Sequence, residues 1–352
     1  MLLALMMITG HYGTRAAPAD YSLMDDKDWA IFKHRYKKSY DSTVEENYRR
    51  SVFHENQQKI DTHNKQYDLG VFSYKIKMNQ FGDMLPDEYK NYMHADNDTL
   101  LMPKRIVRGE EFIPPKNVTR IPDFMDWRQR GAVTPVQDQG LKCGACWAFS
   151  AASALEGQYY RKSGQLLVLS AQNLLDCTIA YGNMGCRGGS AALAFQFAAD
   201  RKGIETEAYY TYEGRTKPCP YNVSDDFDLN FDVDDDDKNH PLASFIYVTK
   251  EDEMALKVAI ATVGPLSAAM DGSHDTFRFY SEGIYYQPEC NKDGLDHAVL
   301  IVGYGTDSNN RDYWLVKNSW GESWGENGYF KIARNRQNHC GIATAAIYPV
   351  IR

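Results

Sequence analysis

The first 142 residues contain no cysteine; all seven lie at Cys143 or beyond. An odd count in an oxidised chain leaves one thiol unpaired, and disulfide use points to the secretory route. No later stretch has eighteen consecutive apolar residues, which excludes a transmembrane helix. Positive charge is in deficit, with Lys+Arg 39 against Asp+Glu 47 and a net charge of -8. That balance argues against nucleic acid and anionic membrane surfaces as partners. No internal repeat is present. No Lys or Arg precedes the apolar run Met1–Ile8. This run and the small residues Ala16-Ala17-Pro18-Ala19 nevertheless read as a signal peptide over 1–19. The 352 residues, 43% hydrophobic and 24% charged, leave room for two or three structural units with a full core.

The most informative stretch is Gln139-Gly-Leu-Lys-Cys143-Gly-Ala-Cys146-Trp147-Ala-Phe-Ser150. From Ala148 to Arg161 the chain is alanine-rich, with Gly157 as its one weak point, and predicts a helix. Arg161 and Lys162 suit its last turn and Gly164 its end. Cys146 then sits at the helix start, where unpaired N–H groups and the dipole favour a thiolate. A thiolate beside a general base is a covalent catalyst. Cys143-Gly-Ala-Cys146 is also a C-x-x-C, so a thiol oxidoreductase remains an alternative at this point.

Cys-Gly-Ala-Cys-Trp resembles the nucleophile segment of papain-like cysteine proteases. Two further segments carry the resemblance. Asp296-His297-Ala298-Val299 precedes Val302-Gly303-Tyr304-Gly305, and Asn318-Ser319-Trp320-Gly321 follows an apolar strand pattern. The resemblance implies Cys146 as nucleophile, His297 as base and Asn318 as its orienter, with Trp320 covering their contact. It also implies Gln139 and the backbone N–H of Cys146 as oxyanion donors. Gln139 lies seven residues before Cys146, whereas the family usually has six, so Leu141-Lys142 carries one extra residue. That insertion keeps a second reading open, a catalytically silent binding protein on the same fold. His297 stands 151 residues and Asn318 172 residues beyond Cys146, longer than the roughly 130–150 of papain-like chains. The acidic run within 225–237 accounts for part of the excess; it lacks the glycine and glutamate of a calcium loop, and no metal or cofactor is expected. The resemblance supplies the disulfides Cys143–Cys186, Cys177–Cys219 and Cys290–Cys340.

The region ahead of the nucleophile resembles a cathepsin L-type propeptide. Trp29, Phe32 and Tyr36 follow helical spacing, and Glu45, Arg49, Phe53, Asn56, Ile60 and Asn64 share one helical face. That sextet matches the ERFNIN pattern. Asn79, Phe81 and Asp83 match a second motif, G-x-N-x-F-x-D, with Lys77 in place of its glycine. Asp83 and the Glu45/Arg49 pair are candidate acid-sensitive contacts. Residues from about Asp96 to Arg120 read as a linker, with sequons at Asn97 and Asn117 and a third at Asn222. Cleavage is expected near Arg120–Ile121.

The whole resemblance implies an α+β fold, a helical lobe bearing Cys146 against a β-barrel lobe bearing His297 and Asn318, preceded by a helical inhibitory propeptide. The domains expected are 20–120 (propeptide with linker) and 121–352 (mature peptidase). The activity implied is hydrolysis of protein and peptide substrates by a cathepsin L-like endopeptidase. Exopeptidase designs are disfavoured: no histidine lies between Cys146 and His240, and the propeptide has no cysteine. Gly188 and Gly189 match the substrate-lining segment. The pocket for the second residue before the cut is assigned to Ser190, Ala191, Ala269, Leu295, Ala298 and Ala345, with Asp296 and Trp320 beside it. All six pocket residues are uncharged, so a hydrophobic preference is expected. A lysosomal, extracellular or digestive location, a monomeric state and cystatin-like inhibitors complete what the resemblance implies.

Overall fold

The computed structural model describes residues 23–93, 110–115, 120–221 and 242–351. The expected signal peptide, the sequons at Asn97, Asn117 and Asn222 and the acidic run lie outside these residues. In chain order the elements are α1 (Leu23–Tyr36), α2 (Thr43–Asp68), β1 (Tyr74–Ile76), α3 (Pro86–Met93), β2 (Glu110–Glu111), β3 (Met125–Asp126), α4 (Cys146–Ser163), α5 (Ala171–Cys177), α6 (Ala191–Asp200), β4 (Leu242–Tyr247), α7 (Glu253–Thr262), β5 (Leu266–Met270), α8 (Asp275–Arg278), β6 (Tyr280–Tyr285), β7 (His297–Thr306), β8 (Asp312–Lys317), β9 (Tyr329–Ala333) and β10 (Ile347–Ile351). No helix among the described residues is long and apolar enough to cross a membrane.

An N-terminal layer is built on α2. Ser42 accepts the Glu45 N–H at 3.1 Å and starts the helix. Phe53 on its buried face packs against Trp29 and Phe32 of α1. Asn64 closes both backbone groups of Ile76, donating to its carbonyl at 2.8 Å and accepting its N–H at 3.1 Å. Asn56 donates to the Gly82 carbonyl at 2.9 Å. These two amides fix β1 and the turn after it against α2. Strand β1 then adds antiparallel to the edge of β6.

The expected ion pairs have more partners than sequence spacing reveals. Arg49 binds Glu45 at 2.8 Å, but it also forks onto Glu88 of α3 at 2.6 and 2.8 Å. Burial opposes ionisation of Glu88, yet the Arg49 fork prevails and holds its carboxyl below the usual range. Asp83 pairs with Lys38 at 2.6 Å and accepts from Tyr40 at 2.9 Å.

The helical lobe centres on α4, buried along most of its length. Gly164, with φ +76°, ends it. Gly157 proves to be a close approach: a Cβ there would meet the Pro265 ring at 3.0 Å. The β lobe pairs its strands in the order β1-β6-β9-β8-β7-β5-β10-β4-β2, with β3 on β7. Every residue of β7 except Thr306 is buried, the pattern of a central strand covered on both faces. The lobes meet over polar bridges as well as apolar packing. Ser150 of α4 donates to the Val299 carbonyl at 2.6 Å. Thr134 lies between Glu156 of α4 (2.6 Å) and Lys317 of β8 (2.9 Å).

The stretch expected to be a linker contains an anchored piece. Glu110 and Glu111 pair in parallel with β4, the Phe112 N–H donates to the Tyr247 carbonyl at 2.7 Å, and Phe112 is buried against Tyr348. A single aromatic between two glutamates and Ile113-Pro114-Pro115 has no periodicity for sequence reasoning to find.

Phe81 is fully buried, with its ring 5.0 Å from that of Trp320. Phe81→Ala is expected to cost about 3–5 kcal/mol at this contact, read as a lower denaturant midpoint for release of the N-terminal layer. An unchanged midpoint contradicts the packing role.

Candidate active site

The α4 N-terminus has no side-chain cap: Ala145 occupies the cap position and the first turn holds no acidic residue. Its free N–H groups and positive dipole end are therefore directed at the Cys146 thiol. Cys146 is the free cysteine among the seven and is buried. Cys143 is bonded to Cys186, which removes the partner that a C-x-x-C redox site needs. Cys177–Cys219 and Cys290–Cys340 are the other bridges.

His297 opens β7, and Asn318 directly follows β8, its neighbour in the sheet. Their side chains meet, with His297 Nε2 2.8 Å from Asn318 Oδ1. Asn318 Oδ1 also accepts the Ser319 N–H at 2.8 Å, which fixes the amide's orientation. An oxygen on this side requires the proton on Nε2, leaving Nδ1 as the basic nitrogen. Trp320 stacks on the imidazole, with ring centroids 4.7 Å apart and planes at 27°. Asn318 Nδ2 has no partner among the described residues.

Gln139 is pinned at both ends. Its N–H donates to the Ser319 carbonyl at 2.9 Å, its Oε1 accepts from Ser319 Oγ at 2.6 Å, and its Nε2 donates to the Cys143 carbonyl at 3.2 Å. Tyr212 donates to its carbonyl oxygen at 2.9 Å. The extra residue is absorbed beyond it, where Gly140 takes φ +70° and Lys142 is exposed. Besides its bond to Cys143, the Gln139 amide faces the Tyr92 hydroxyl of α3, which itself donates to the Gly140 carbonyl at 3.0 Å.

Around this centre, Gly188 adopts φ +118°, and a Cβ on Gly189 would lie 2.6 Å from the Trp147 ring. Both positions require glycine, Gly188 for its backbone angle and Gly189 because Trp147 and Asn183 fill the space of a side chain. Ser190 caps α6 by accepting the Ala192 N–H, and Ala191 begins that helix. Ala269 of β5 faces Ala298 of β7 in register. Leu295 is fully buried, and Ala345 is half-buried.

Burial dominates the electrostatics. It pushes the Cys146 thiol up to about 11, against nearby backbone N–H groups of Ala298 and Trp147. It pushes His297 down to about 4, opposed by the Asn318 bond. Both shifts favour the neutral thiol and the neutral imidazole. Asp296 is raised to about 7 by burial, although it accepts the Gly272 N–H at 2.7 Å.

Comparison with known proteins agrees with this arrangement. The model of the papain family cysteine proteases matches residues 121–350, and that of the cathepsin propeptide inhibitor domain matches residues 29–89. The chain is 45% identical to a cathepsin L-like peptidase of Aedes aegypti over 99% of both chains. It is 42% identical to procathepsin L of Mus musculus over 100% of both. Among solved structures, digestive procathepsin L 3 of the Tenebrio molitor larval midgut superposes with a TM-score of 0.80 at 39% identity, covering 94% of this chain and 100% of that one.

The neutral pair predicts slow alkylation of Cys146 by iodoacetamide at pH 7 in the full-length protein. Removal of residues before Ile121 should raise the rate at least about 100-fold, in line with a shift of two or more pKa units. Equal rates before and after contradict it. Asp296 gives a second test. Its folded form keeps a proton up to about 7, whereas an unfolded Asp loses it near 4, so its burial lowers stability progressively as pH rises through that window. In the Cys146→Ser background, Asp296→Asn should gain Tm over the parent as pH goes from 4 to 7. A constant difference rules this out.

Proposed function

Because the chain belongs to the papain family of cysteine proteases and carries a cathepsin propeptide inhibitor region ahead of the protease region, we propose the following assignment of its residues. The chain is a cathepsin L-type cysteine endopeptidase made as a zymogen, with its own propeptide as intramolecular inhibitor and proteins as substrates. Cys146 Sγ attacks the scissile carbonyl carbon after losing its proton to His297 Nδ1. The Gln139 amide and the Cys146 N–H hold the oxyanion. His297 returns the proton to the leaving amine as the C–N bond breaks, leaving a thioester on Cys146. Water, deprotonated by His297, attacks that thioester; the acid product departs and the thiol is restored. Asn318 holds the imidazole in the tautomer this needs, and Trp320 keeps water from their bond.

The observation that carries the assignment is the 2.8 Å His297–Asn318 bond under the Trp320 ring, beside an unpaired cysteine at an uncapped helix start. The pocket of Ser190, Ala191, Ala269, Leu295, Ala298 and Ala345 contains no charge, which favours Leu or an aromatic ring as the second residue before the cut. Ser190 and Ala191 are small, so the pocket is wide. We place the mature boundary near Arg120–Ile121, with 1–19 as signal peptide and 20–120 as propeptide. Arg120 is exposed, as a cleavage site must be. The three disulfides support an oxidising route to a lysosome, an extracellular space or a digestive lumen; the word "digestive" in the name of the Tenebrio molitor relative favours the last. Glycans at Asn97, Asn117 and Asn222, a monomeric state and cystatin-like inhibitors belong to the same proposal.

The test is acid processing of the purified precursor at pH 4–5, followed by assay on blocked Leu-Arg and Phe-Arg peptides. Cys146→Ser should fall to background. Gln139→Ala should lower kcat by roughly 10²–10³ with little change in KM, the signature of a donor used in the transition state. Wild-type turnover equal to that of the serine variant sinks the assignment. Equal rates on peptides with Arg or with Leu as the second residue before the cut sink the pocket reading alone.

A further inference from the structure

Arg278, the last residue of α8, is fully buried although it lies in the protease region at the face covered by the N-terminal layer. Its own region supplies its side chain with only a carboxylate, Asp275 Oδ1 at 3.1 Å, and the Phe279 ring, 4.5 Å from Cζ. The remaining neighbours come from the N-terminal layer. Nη1 donates to the carbonyls of Met84 at 3.1 Å and Leu85 at 3.4 Å, and Nη2 to Asn56 Oδ1 at 3.3 Å. The Tyr89 ring covers the guanidinium at 5.4 Å. The main chain of the same residue is gripped too: Asn79 Nδ2 donates to the Arg278 carbonyl at 2.6 Å, and Trp324 Nε1 donates to it at 3.0 Å. Asn56 belongs to the ERFNIN face and Asn79 to the second motif, so both motifs converge on one residue.

Resting on the zymogen assignment above, we propose that Arg278 is the residue by which the protease region recognises its own propeptide, selecting a partner that presents a helix amide and two successive turn carbonyls. The selectivity comes from a penalty. Docking any chain over α8 strips water from the guanidinium, and that loss is recovered only where acceptors stand in the matching places. A planar fork reads such a set; a point charge does not. Asn56 sharpens the requirement, because its Nδ2 bonds the Met84 carbonyl at 3.2 Å while its Oδ1 faces Arg278. Asn56, Met84 and Arg278 thus close a three-membered hydrogen-bonded ring, and removing one member leaves the others desolvated.

The experiment uses the full chain in the Cys146→Ser background, where self-cleavage is absent. Hydrogen exchange is followed where β1 meets β6, at the Lys77 amide, which donates to the Phe279 carbonyl at 2.7 Å, and at the β1 amides other than that of Ile76, which bonds Asn64 inside the layer. Arg278→Met should speed their exchange by about 10- to 100-fold, the loss of charge-assisted bonds. Arg278→Lys should recover only part of the protection. In Asn56→Ala combined with Arg278→Met, the loss should fall short of the sum of the single effects. Protection within α4 should stay at the parent level. Unchanged exchange of β1 in Arg278→Met overturns the proposal, as does equal loss of protection in α4, which marks general damage to the fold. Peptide hydrolysis by the processed wild-type protein is measured separately. Its absence defeats the protease reading and leaves the exchange result to be judged alone.

Discussion

The indole of Trp320 is a wall shared by the reacting groups and by the layer that covers them. One face stacks on His297 at 4.7 Å. Phe81 packs edge-on at 5.0 Å, and Gln80 Nε2 donates to the Trp320 carbonyl at 3.0 Å. An isolated bridge joins Trp320 to Asp138, the residue before Gln139. His297, the backbone leading to Gln139 and the propeptide layer are thereby tied to one residue. Dense packing transmits any displacement of one to the others. A layer fixed mainly on the β lobe thereby reaches the His297 ring through one side chain.

The relation between the lobes depends on a second constraint. Glu156 and Lys317 are both buried and face one another through Thr134. Burial raises Glu156 and lowers Lys317, and their mutual attraction opposes each shift. Such an arrangement adds little net stability, but it penalises slippage between α4 and β8 because either group alone would be stranded. Asn318 follows Lys317 directly, so the register that the pair enforces is also that of Asn318 against α4.

Much of this was legible from local pattern. The helix after Cys146 and its glycine stop, the ERFNIN face and the strand that His297 opens rest on periodicity and capping, which depend on near neighbours in the chain. What escaped was long-range. Glu88 as the main partner of Arg49, and Lys38 and Tyr40 as partners of Asp83, lie outside any spacing rule. Gly157 looked like a defect until Pro265 was seen against it. Phe112 had no pattern to announce it. Arg278 matches no spacing rule either, and its buried position depends on contacts far along the chain. The extra residue at Leu141-Lys142 raised a doubt about Gln139, yet the bonds to Ser319, Cys143 and Tyr212 hold it in place.

The short strand at Glu110–Glu111 has a kinetic corollary. Strand β1 clasps one end of the sheet and β2 the other, through β6 and β4 respectively. Severing the chain just beyond Phe112 would leave the leader fastened at two sites, and each clasp would keep the other at millimolar-scale local concentration. Scission and liberation are then separate events. The dwell time of the nicked complex, more than the speed of the cut, would set how soon the enzyme is free to work.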